Sequence, residues 1–440
     1  MKKFLTCAAF ALLAGAAGAQ PLPAYDLLLR GGHVIDPKNH IDAVMDVAIK
    51  DGKIAQVAAN LKPSDAIKSI DANGLYVVPG LIDLHVHVYN GTGERGSYAG
   101  DLSVPPDGFT FRTGVTTVVD AGSSGWRSFE DFKDRIIDRS QTRVLAMLNI
   151  VGAGMRGGKY ENNLFDMEAE PTARMAMRHK DVIVGIKTAH YAGPEWHPVE
   201  QAVLAGTRAN IPVMVDFGTD YPQQRPLYDL LTKKLRPGDI YTHMYSGLRH
   251  EQDPVTKGPS KGFIEGRARG VYFDAGTGGG SFKYSLAIPM IKQGFKPDSL
   301  STDLHVTSMN SGTKDMLNVA SKFMAIGVSL PEVVADMTSH PAHQIKHDEL
   351  GNLSPGSVAD VAVLSLQKGR FGFTDMVNTR MDANQKLVAE MTIRAGKIVY
   401  DLNGLESLPW DAPPGEIKHD NRWTSWPRPV PQPNDGANLH

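Results

Sequence analysis

The feature that most constrains the fold is an alternation of short apolar runs with helix-length segments between about residue 80 and residue 344. Near-continuous apolar runs that alternate with helices are typical of parallel strands buried on both faces. Eight such runs, the number of strands in a TIM-like (β/α)8 barrel, occur at residues 81–84, 115–120, 144–148, 182–186, 212–215, 240–242, 271–273 and 300–302. The alternative is a doubly wound open sheet, but no G-x-G-x-x-G dinucleotide turn supports it.

Short β-type segments occur on both sides of this region. Residues 46–50 and 54–57 flank the turn Asp51-Gly52-Lys53, which is a hairpin signal. Residues 359–364 and 391–394 indicate further strands near the other end. Strands at both ends around a long middle predict a single small β-domain that both terminal segments build.

These patterns divide the chain into four parts. We expect an α/β protein in which a barrel at residues 80–344 lies beside a small β-sandwich made of residues 20–79 and 345–402. Residues 403–440 are rich in proline and tryptophan, and because proline interrupts helices we expect an extended arm on the protein or on a partner subunit.

The first nineteen residues have the pattern of a signal peptide. Lys2 and Lys3 precede an apolar stretch that ends in the small residues Ala17-Gly18-Ala19, so cleavage is expected before Gln20. A membrane anchor is the alternative, but the stretch is shorter than the roughly 20 apolar residues that a span needs. We therefore predict a protein exported to the periplasm or secreted.

Cleavage there would remove Cys7, the only cysteine. The mature chain would then have no disulfide, no cysteine nucleophile and no thiolate zinc site. The formal net charge of −2 and the lack of a long basic block argue against nucleic acid as a partner. We expect a small-molecule substrate, and a homo-oligomer is an open alternative to a monomer.

The segment Asp83-Leu84-His85-Val86-His87 ends the first predicted barrel strand. Side chains alternate faces along a strand, so His85 and His87 point the same way. Two imidazoles in this arrangement can share one metal ion, and barrel enzymes keep their active sites at this end of the strands. The alternative is a pair of hydrogen-bonded core histidines.

Other metal-capable side chains follow later strands at equivalent positions. Any one of them alone would usually be a loop residue or a helix-capping aspartate. Four together at the predicted strand ends indicate a metal site: Lys187, Asp216, His243 and Asp303.

These motifs resemble the amidohydrolase superfamily, and in particular its amidohydrolase and deacetylase branch. The resemblance covers nearly the whole mature chain and rests on residues 71–87, residues 114–120, Thr338-Ser339-His340-Pro341-Ala342 and residues 351–360. It implies a distorted barrel beside a small β-sandwich, and one or two divalent metals, usually Zn²⁺.

In the family's two-metal pattern, the H-x-H pair and the last aspartate hold one metal, which implies His85, His87 and Asp303. A lysine carboxylated by CO₂ bridges to the second metal, and Lys187 matches it. The sixth-strand histidine matches His243. The fifth-strand histidine is absent, because Asp216 stands in its place.

Aspartate can bind zinc, but it is shorter than histidine and adds negative charge. Either Asp216 binds the second metal, or that metal is weak or absent, or the nearby His190 replaces the missing ligand. We favour two Zn²⁺ per chain, with one as the alternative.

The resemblance implies hydrolysis of an amide or ester bond by metal-bound hydroxide, with Asp303 moving the proton to the leaving group. Its branch favours removal of the acyl group from a small N-acyl or O-acyl carboxylate. A cyclic amide hydrolase similar to dihydroorotases and hydantoinases is the second hypothesis, and a non-catalytic scaffold is the third. The loops after the strands supply candidate substrate contacts, namely His190, Tyr191, Tyr245, Gly279, Ser281 and His305.

Overall fold

A computed structural model of the chain describes residues 23–218 and 224–413. The predicted signal peptide and most of the predicted C-terminal arm lie outside the described residues. Among the described residues, no helix is long and apolar enough to cross a membrane.

The strands form two sheets. Their bounds are β1 Tyr25–Asp36, β2 Ile41–Lys50, β3 Lys53–Ala58, β4 Ala66–Asp71, β5 Tyr76–Pro79, β6 Leu81–Val86, β7 Val115–Gly125, β8 Arg143–Asn149, β9 Ile183–Thr188, β10 Val213–Val215, β11 Ile240–Tyr241, β12 Tyr272–Phe273, β13 Val361–Thr374, β14 Arg380–Arg394 and β15 Lys397–Asp401.

The helices lie between β7 of the second sheet and β13 of the first. They are α1 Phe129–Arg135, α2 Gly158–Glu161, α3 Ala169–Arg178, α4 His197–Ala209, α5 Leu227–Asp229, α6 Lys261–Ala268, α7 Tyr284–Lys292, α8 Val306–Met309, α9 Met316–Ala325, α10 Leu330–Asp336 and α11 Ser339–Gln344.

The second sheet is parallel and curled. Strands β6 to β12 pair in chain order, and the segment 299–304 bridges β12 at one edge and β6 at the other through Asp274–Ser299 and Val86–Leu304. The sheet therefore closes around a buried interior that includes Leu84, Met147 and Met214. This is the curled α/β arrangement that the alternating runs predicted.

The eighth predicted strand, 300–302, is flanked by isolated bridges at Ser299 and Leu304 and does not form a continuous ladder. Its polar side chains bond to buried carboxylates, because Ser301 donates to Asp274 and Thr302 donates to Asp83. Asp303 then has φ +48, which ends the extended conformation. The segment thus closes the sheet without adopting regular strand geometry.

The first sheet joins strands from both ends of the chain in the order β15-β14-β13-β5-β1-β2-β3, with β4 also paired to β1. The join is the antiparallel pairing of β13 with β5, in which Val363 lies opposite Val77. The predicted hairpin is confirmed, because β2 and β3 pair antiparallel around Asp51 and Gly52. The expected contribution of both terminal segments to one β-structure is therefore present.

Candidate metal-dependent active site

Two histidines and an aspartate meet at the carboxyl edge of the curled sheet. His85 lies in β6, His87 follows it, and Asp303 follows the closing segment. Asp303 Oδ1 lies 3.1 Å from His87 Nε2 and 3.5 Å from His85 Nε2. Among the described residues, these three form the one group of histidine, cysteine or acidic side chains compact enough to hold an ion, and all three are buried.

Hydrogen bonds orient the ring of His85. The hydroxyl of Thr242 donates to Asp274 Oδ2 at 2.7 Å, so its oxygen accepts from His85 Nδ1 at 3.1 Å. The proton of His85 is therefore on Nδ1, and the Nε2 lone pair faces Asp303. Fixing the tautomer from behind in this way is the usual support of a metal-binding imidazole.

The ring of His87 has a similar support. Its Nδ1 lies 2.9 Å from the hydroxyl of Ser123, and its Nε2 faces Asp303. Burial lowers the pKa of both imidazoles, that of His85 to about 3. Both rings are thus neutral at pH 7, the form that binds a metal.

The carboxyl group of Asp303 is ionised. Burial alone would raise its pKa, but the imidazoles around it, those of His85, His305 and His87, hold that pKa well below its ordinary value. The position of this carboxylate is closely defined. The backbone of Asp303 is in the left-handed region, and Gly278 lies against its carboxylate. A Cβ on Gly278 would be 2.4 Å from Asp303 Oδ2.

Lys187, in β9, lies beside this group. Its side chain is 1% exposed, and its Nζ lies 3.1 Å from His85 Nε2 and 3.5 Å from the sulfur of Met214. Burial lowers its pKa. Gly122 permits this approach, because a Cβ there would be 2.7 Å from the Lys187 side chain. Because the hydrogen-bond partners of Lys187 among the described residues are an imidazole and a thioether, burial favours the neutral amine.

His243 and Asp216 form the other half of the site. His243 Nδ1 donates to the carbonyl of Gly276 at 2.6 Å, which leaves Nε2 to face Asp216 Oδ2, 3.5 Å away. An imidazole nitrogen and a carboxylate oxygen at this separation can bind the same metal ion. The donor set therefore fits a second metal position.

Asp216 has further partners that the sequence did not reveal. Arg249 Nη2 donates to Asp216 Oδ1 at 2.5 Å, and His190 Nε2 lies 3.2 Å from Oδ2. Burial would raise the pKa of Asp216, but the charges of Arg249 and His243 hold it well below its ordinary value. The guanidinium thus balances the negative charge that an aspartate brings to this position.

His190 is placed as a cation. Its Nδ1 lies 2.6 Å from Glu161 Oε2, and its Nε2 faces Asp216. Desolvation of the ring opposes protonation, but bonds to Asp216 and Glu161 raise the pKa of His190 to about 10. With both ring nitrogens bonded to carboxylates, His190 is not placed as the replacement metal ligand that we considered.

The candidate substrate contacts divide into two groups. His305 lies at the site, where its Nδ1 donates to the carbonyl of Asp303 at 2.7 Å. Gly279 and Ser281 border it in the loop after β12, since a Cβ on Gly279 would be 3.7 Å from His305 Nε2 and the hydroxyl of Ser281 lies near Gly278.

Tyr245 differs from the expectation. It is fully buried, packs edge-on against Phe282 and donates to the carbonyl of Phe295 at 3.1 Å, so its ring belongs to the core. Its proximity in sequence to a strand end suggested a contact that its side-chain direction does not provide. The hydroxyl of Tyr191 donates to Glu195, and its contact with substrate stays a prediction.

Tyr98 was missed by the sequence reasoning. Its ring lies over the site, with centroids 4.4 Å from His87, 4.9 Å from His305 and 5.7 Å from His190. Burial raises its pKa above the ordinary value, as do the charges of Asp303 and two other carboxylates, so the phenol stays protonated. It comes from the long loop after β6, where no local pattern distinguished it from other loop aromatics.

A curled parallel sheet with neutral imidazoles, an ionised carboxylate and a buried lysine at its carboxyl edge defines a metal-dependent hydrolase.

Comparison with known proteins supports this class. A family model described as "Amidohydrolase family" matches residues 290–400. A deacetylase of Agrobacterium fabrum is 31% identical over 372 residues, which cover 83% of this chain and 89% of that protein. A deacetylase of Brucella anthropi is 30% identical over 76% of this chain and 83% of that protein.

Solved structures of similar shape extend the comparison. An adenine deaminase has a TM-score of 0.77 and 28% identity, and covers 86% of this chain and all of its own. A dihydroorotase has a TM-score of 0.72 and 26% identity, covering 85% of this chain and 99% of its own. The chain belongs to the amidohydrolase family, and it is a hydrolase that acts on carbon–nitrogen bonds.

Proposed function

We propose that the chain is a deacylase that removes the acyl group from a small N-acyl or O-acyl carboxylate. The observation that carries this is the compact group of His85, His87 and Asp303 beside the buried amine of Lys187. The deacetylase relatives named above support hydrolytic removal of an acyl group over hydrolysis of other carbon–nitrogen bonds.

We propose two Zn²⁺ positions. His85, His87 and Asp303 would hold one ion, and His243 with Asp216 would hold the other. Lys187 would join them as a carboxylated lysine, because a neutral buried amine can react with CO₂ and the product is an anionic oxygen ligand. The 3.5 Å approach of His243 Nε2 to Asp216 Oδ2 supports the second position.

Elemental analysis of protein purified without added metal tests this assignment. We expect about two zinc per chain, with the added mass of CO₂ on Lys187 in the non-denatured protein. About one zinc per chain and an unmodified lysine would contradict the second position while leaving the group at His85 intact.

Zinc bound by these residues would acidify a water and polarise the scissile carbonyl. The chain's own residues then handle protons and geometry. The ionised carboxylate of Asp303 accepts a proton from the attacking water and returns it to the leaving nitrogen or oxygen. The ring of Tyr98 covers His87 and keeps the site partly closed to solvent, and its protonated hydroxyl is available as a donor to the substrate.

The substitution Asp303→Ala tests the central role. We expect kcat to fall by at least about 10²-fold, the lower end of what general acid–base catalysis contributes. Asp382→Ala, at an exposed aspartate of β14, is the matched control and should retain activity. Near-normal turnover by a correctly folded Asp303→Ala protein, verified by thermal unfolding, would show that the role is wrong.

Cyclic amide hydrolysis is the second candidate, because a dihydroorotase structure matches over most of both chains. A panel of acylated amino acids and hydroxy acids against dihydroorotate and hydantoins separates the two hypotheses. Turnover confined to the cyclic compounds would favour the second.

We also propose that the first sheet folds over on itself as the expected β-sandwich. Apolar side chains from β1 and β2 share one buried cluster with side chains from β13 and β14, including Leu29, Val47, Val363 and Met391. A cluster that joins strands from opposite parts of one sheet supports two packed layers.

A further inference from the structure

A cavity lies beside the site formed by His85, His87 and Asp303. It has a volume of about 270 Å³ and lies between two parts of the chain that are distant in sequence. One wall is the loop after α8, residues 310–314. The other is the turn between β13 and β14, residues 374–378, which belongs to the first sheet.

Gly279 lies between this cavity and the site that contains Asp303. It lines the cavity, and a Cβ at Gly279 would be 3.7 Å from both His305 Nε2 and Ser311 Oγ. His305 in turn bonds to the backbone of Asp303. The cavity therefore lies next to His305, which in turn contacts Asp303.

The far wall is fixed to the barrel. The amide of Met376 donates to the carbonyl of Phe282 at 3.0 Å, and the hydroxyl of Tyr284 donates to the carbonyl of Phe373 at 3.0 Å. The two walls also touch directly, because a Cβ on Gly312 would be 2.8 Å from the carbonyl of Thr374. The cavity is thus a built feature of the packed protein.

The charges around the cavity favour an anion. The carboxylate of Asp375 already accepts three backbone amides, from Tyr284 at 3.2 Å, Val377 at 3.1 Å and Thr379 at 2.8 Å. Its hydrogen-bonding capacity is largely used, and the amide dipoles offset its charge.

Two lysines contribute positive charge. Lys314 is exposed at the cavity, with its Nζ donating to the carbonyl of Ser311 at 3.0 Å. Lys322 is 1% exposed in α9, and its Nζ donates to Gly312, which lines the cavity, at 3.1 Å. Asp315, which follows Lys314, uses its carboxylate at the N-terminus of α9, where it accepts from the amide of Asn318 at 2.7 Å. Among the residues that line the cavity, Lys314 is therefore the cation offered to an anion, opposite an aspartate whose oxygens are bonded to amides.

We propose that this cavity is a distal subsite that binds a carboxylate carried by the leaving part of the substrate, several bonds from the scissile one, with Lys314 as the charged contact and Asn378 on the opposite wall. The inference rests on the proposed deacylase function and narrows its substrates to acylated compounds that carry a remote acidic group. The first sheet would then contribute to specificity through its turn.

The matched pair N-acetylglutamate and N-acetylglutamine tests the proposal, because the two compounds differ only in a side-chain carboxylate or carboxamide. The measurement is the ratio of their kcat/KM values in the zinc-loaded protein. We expect wild type to prefer the glutamate compound, and Lys314→Gln to reduce that preference about ten-fold, as loss of a charge-assisted hydrogen bond would. Asn378→Asp, which adds a negative charge to the opposite wall, should reduce it further.

Lys257→Gln is the matched control. Lys257 is also an exposed lysine with a left-handed backbone, φ +58 against +64 at Lys314, and it does not line the cavity. Its substitution should leave the preference unchanged. A preference that is equal in wild type and Lys314→Gln, in folded proteins, would overturn the subsite.

Calorimetric titration of the same two compounds into Asp303→Ala, with and without Lys314→Gln, separates this proposal from the proposed reaction. Discrimination in binding that depends on Lys314, without turnover by wild type, would support the subsite and contradict deacylation of these compounds. Turnover with no dependence on Lys314 would do the reverse. Absence of both binding and turnover would overturn the subsite.

Discussion

At the scale of single residues, Gly278 determines how closely the loop after β12 approaches the carboxylate of Asp303. Its φ of +45 is one that side chains rarely adopt, and a Cβ there would be 2.4 Å from Asp303 Oδ2. Such a contact cannot persist, so either the loop or the aspartate must move.

We therefore expect Gly278→Ala to lower metal content and to reduce kcat/KM by about 10²-fold, since small misplacements of reacting groups have costs of that size. Gly280→Ala is the control, because a Cβ at Gly280 meets nothing within 4 Å. Elemental analysis and steady-state kinetics check both variants. Metal content and activity equal to those of wild type in Gly278→Ala would show that the loop position does not matter.

The residues that the sequence predicted best are those whose spacing is local or whose place on a strand is fixed. His85, His87, Lys187 and Asp303 come together because parallel strands end at one edge. Tyr98 and Arg249 come from long loops, whose paths depend on tertiary packing, so no local pattern could place them.

At the scale of elements, α9 buries a lysine against the loop that borders the distal cavity. Burial lowers the pKa of Lys322 to about 8 from an ordinary 10.5. Between these two pH values the unfolded chain holds a proton that the folded chain has lost, so the stability of the fold rises with pH through this window.

We expect the free energy of unfolding of wild type, relative to that of Lys322→Met, to rise by roughly 3 kcal/mol between pH 7 and pH 10.5. Chemical denaturation of both proteins across this range measures the difference. Parallel pH profiles would mean that Lys322 is not perturbed in the folded state.

The alternation of apolar runs predicted the order of the barrel elements, because strands buried on both faces require such runs. It did not predict that the eighth run closes the sheet through bridges alone. That outcome depends on Asp83 and Asp274, which are distant in sequence and bond to Thr302 and Ser301.

At the scale of the whole molecule, Asp360 connects the two sheets. Its carboxylate accepts from Arg143 of β8 at 2.6 Å and from Arg394 of β14 at 3.1 Å. The backbone of Asp360 also accepts from Gly80, where the chain passes from β5 to β6. One buried anion thus pairs with a cation from each sheet.

We expect Asp360→Asn to lower the free energy of unfolding by about 3 kcal/mol, because it leaves two partly buried guanidinium groups without their counter-charge. Asp382→Asn breaks an exposed pair with Arg380 and should cost between about 0 and 1 kcal/mol. Urea denaturation of the three proteins gives the comparison. Equal costs for both substitutions would contradict the connecting role of Asp360.

We also propose that the protein is exported and that its first nineteen residues are removed before Gln20, because those residues have the pattern of a signal peptide. Intact mass of the protein recovered outside the cytoplasm should correspond to residues 20–440. Recovery of full-length protein in the cytoplasm would contradict export.

Three residues of the site have backbones in the left-handed region, with φ +58 at His190, +63 at His243 and +48 at Asp303. Each such residue costs roughly 1–2 kcal/mol relative to an ordinary conformation. The barrel thus gives up part of its conformational stability to aim its charged and coordinating groups. Selection for higher thermal stability alone would favour glycine at these positions, and the loss of the three side chains would lower activity. At this site, thermal stability and catalytic activity therefore favour different residues.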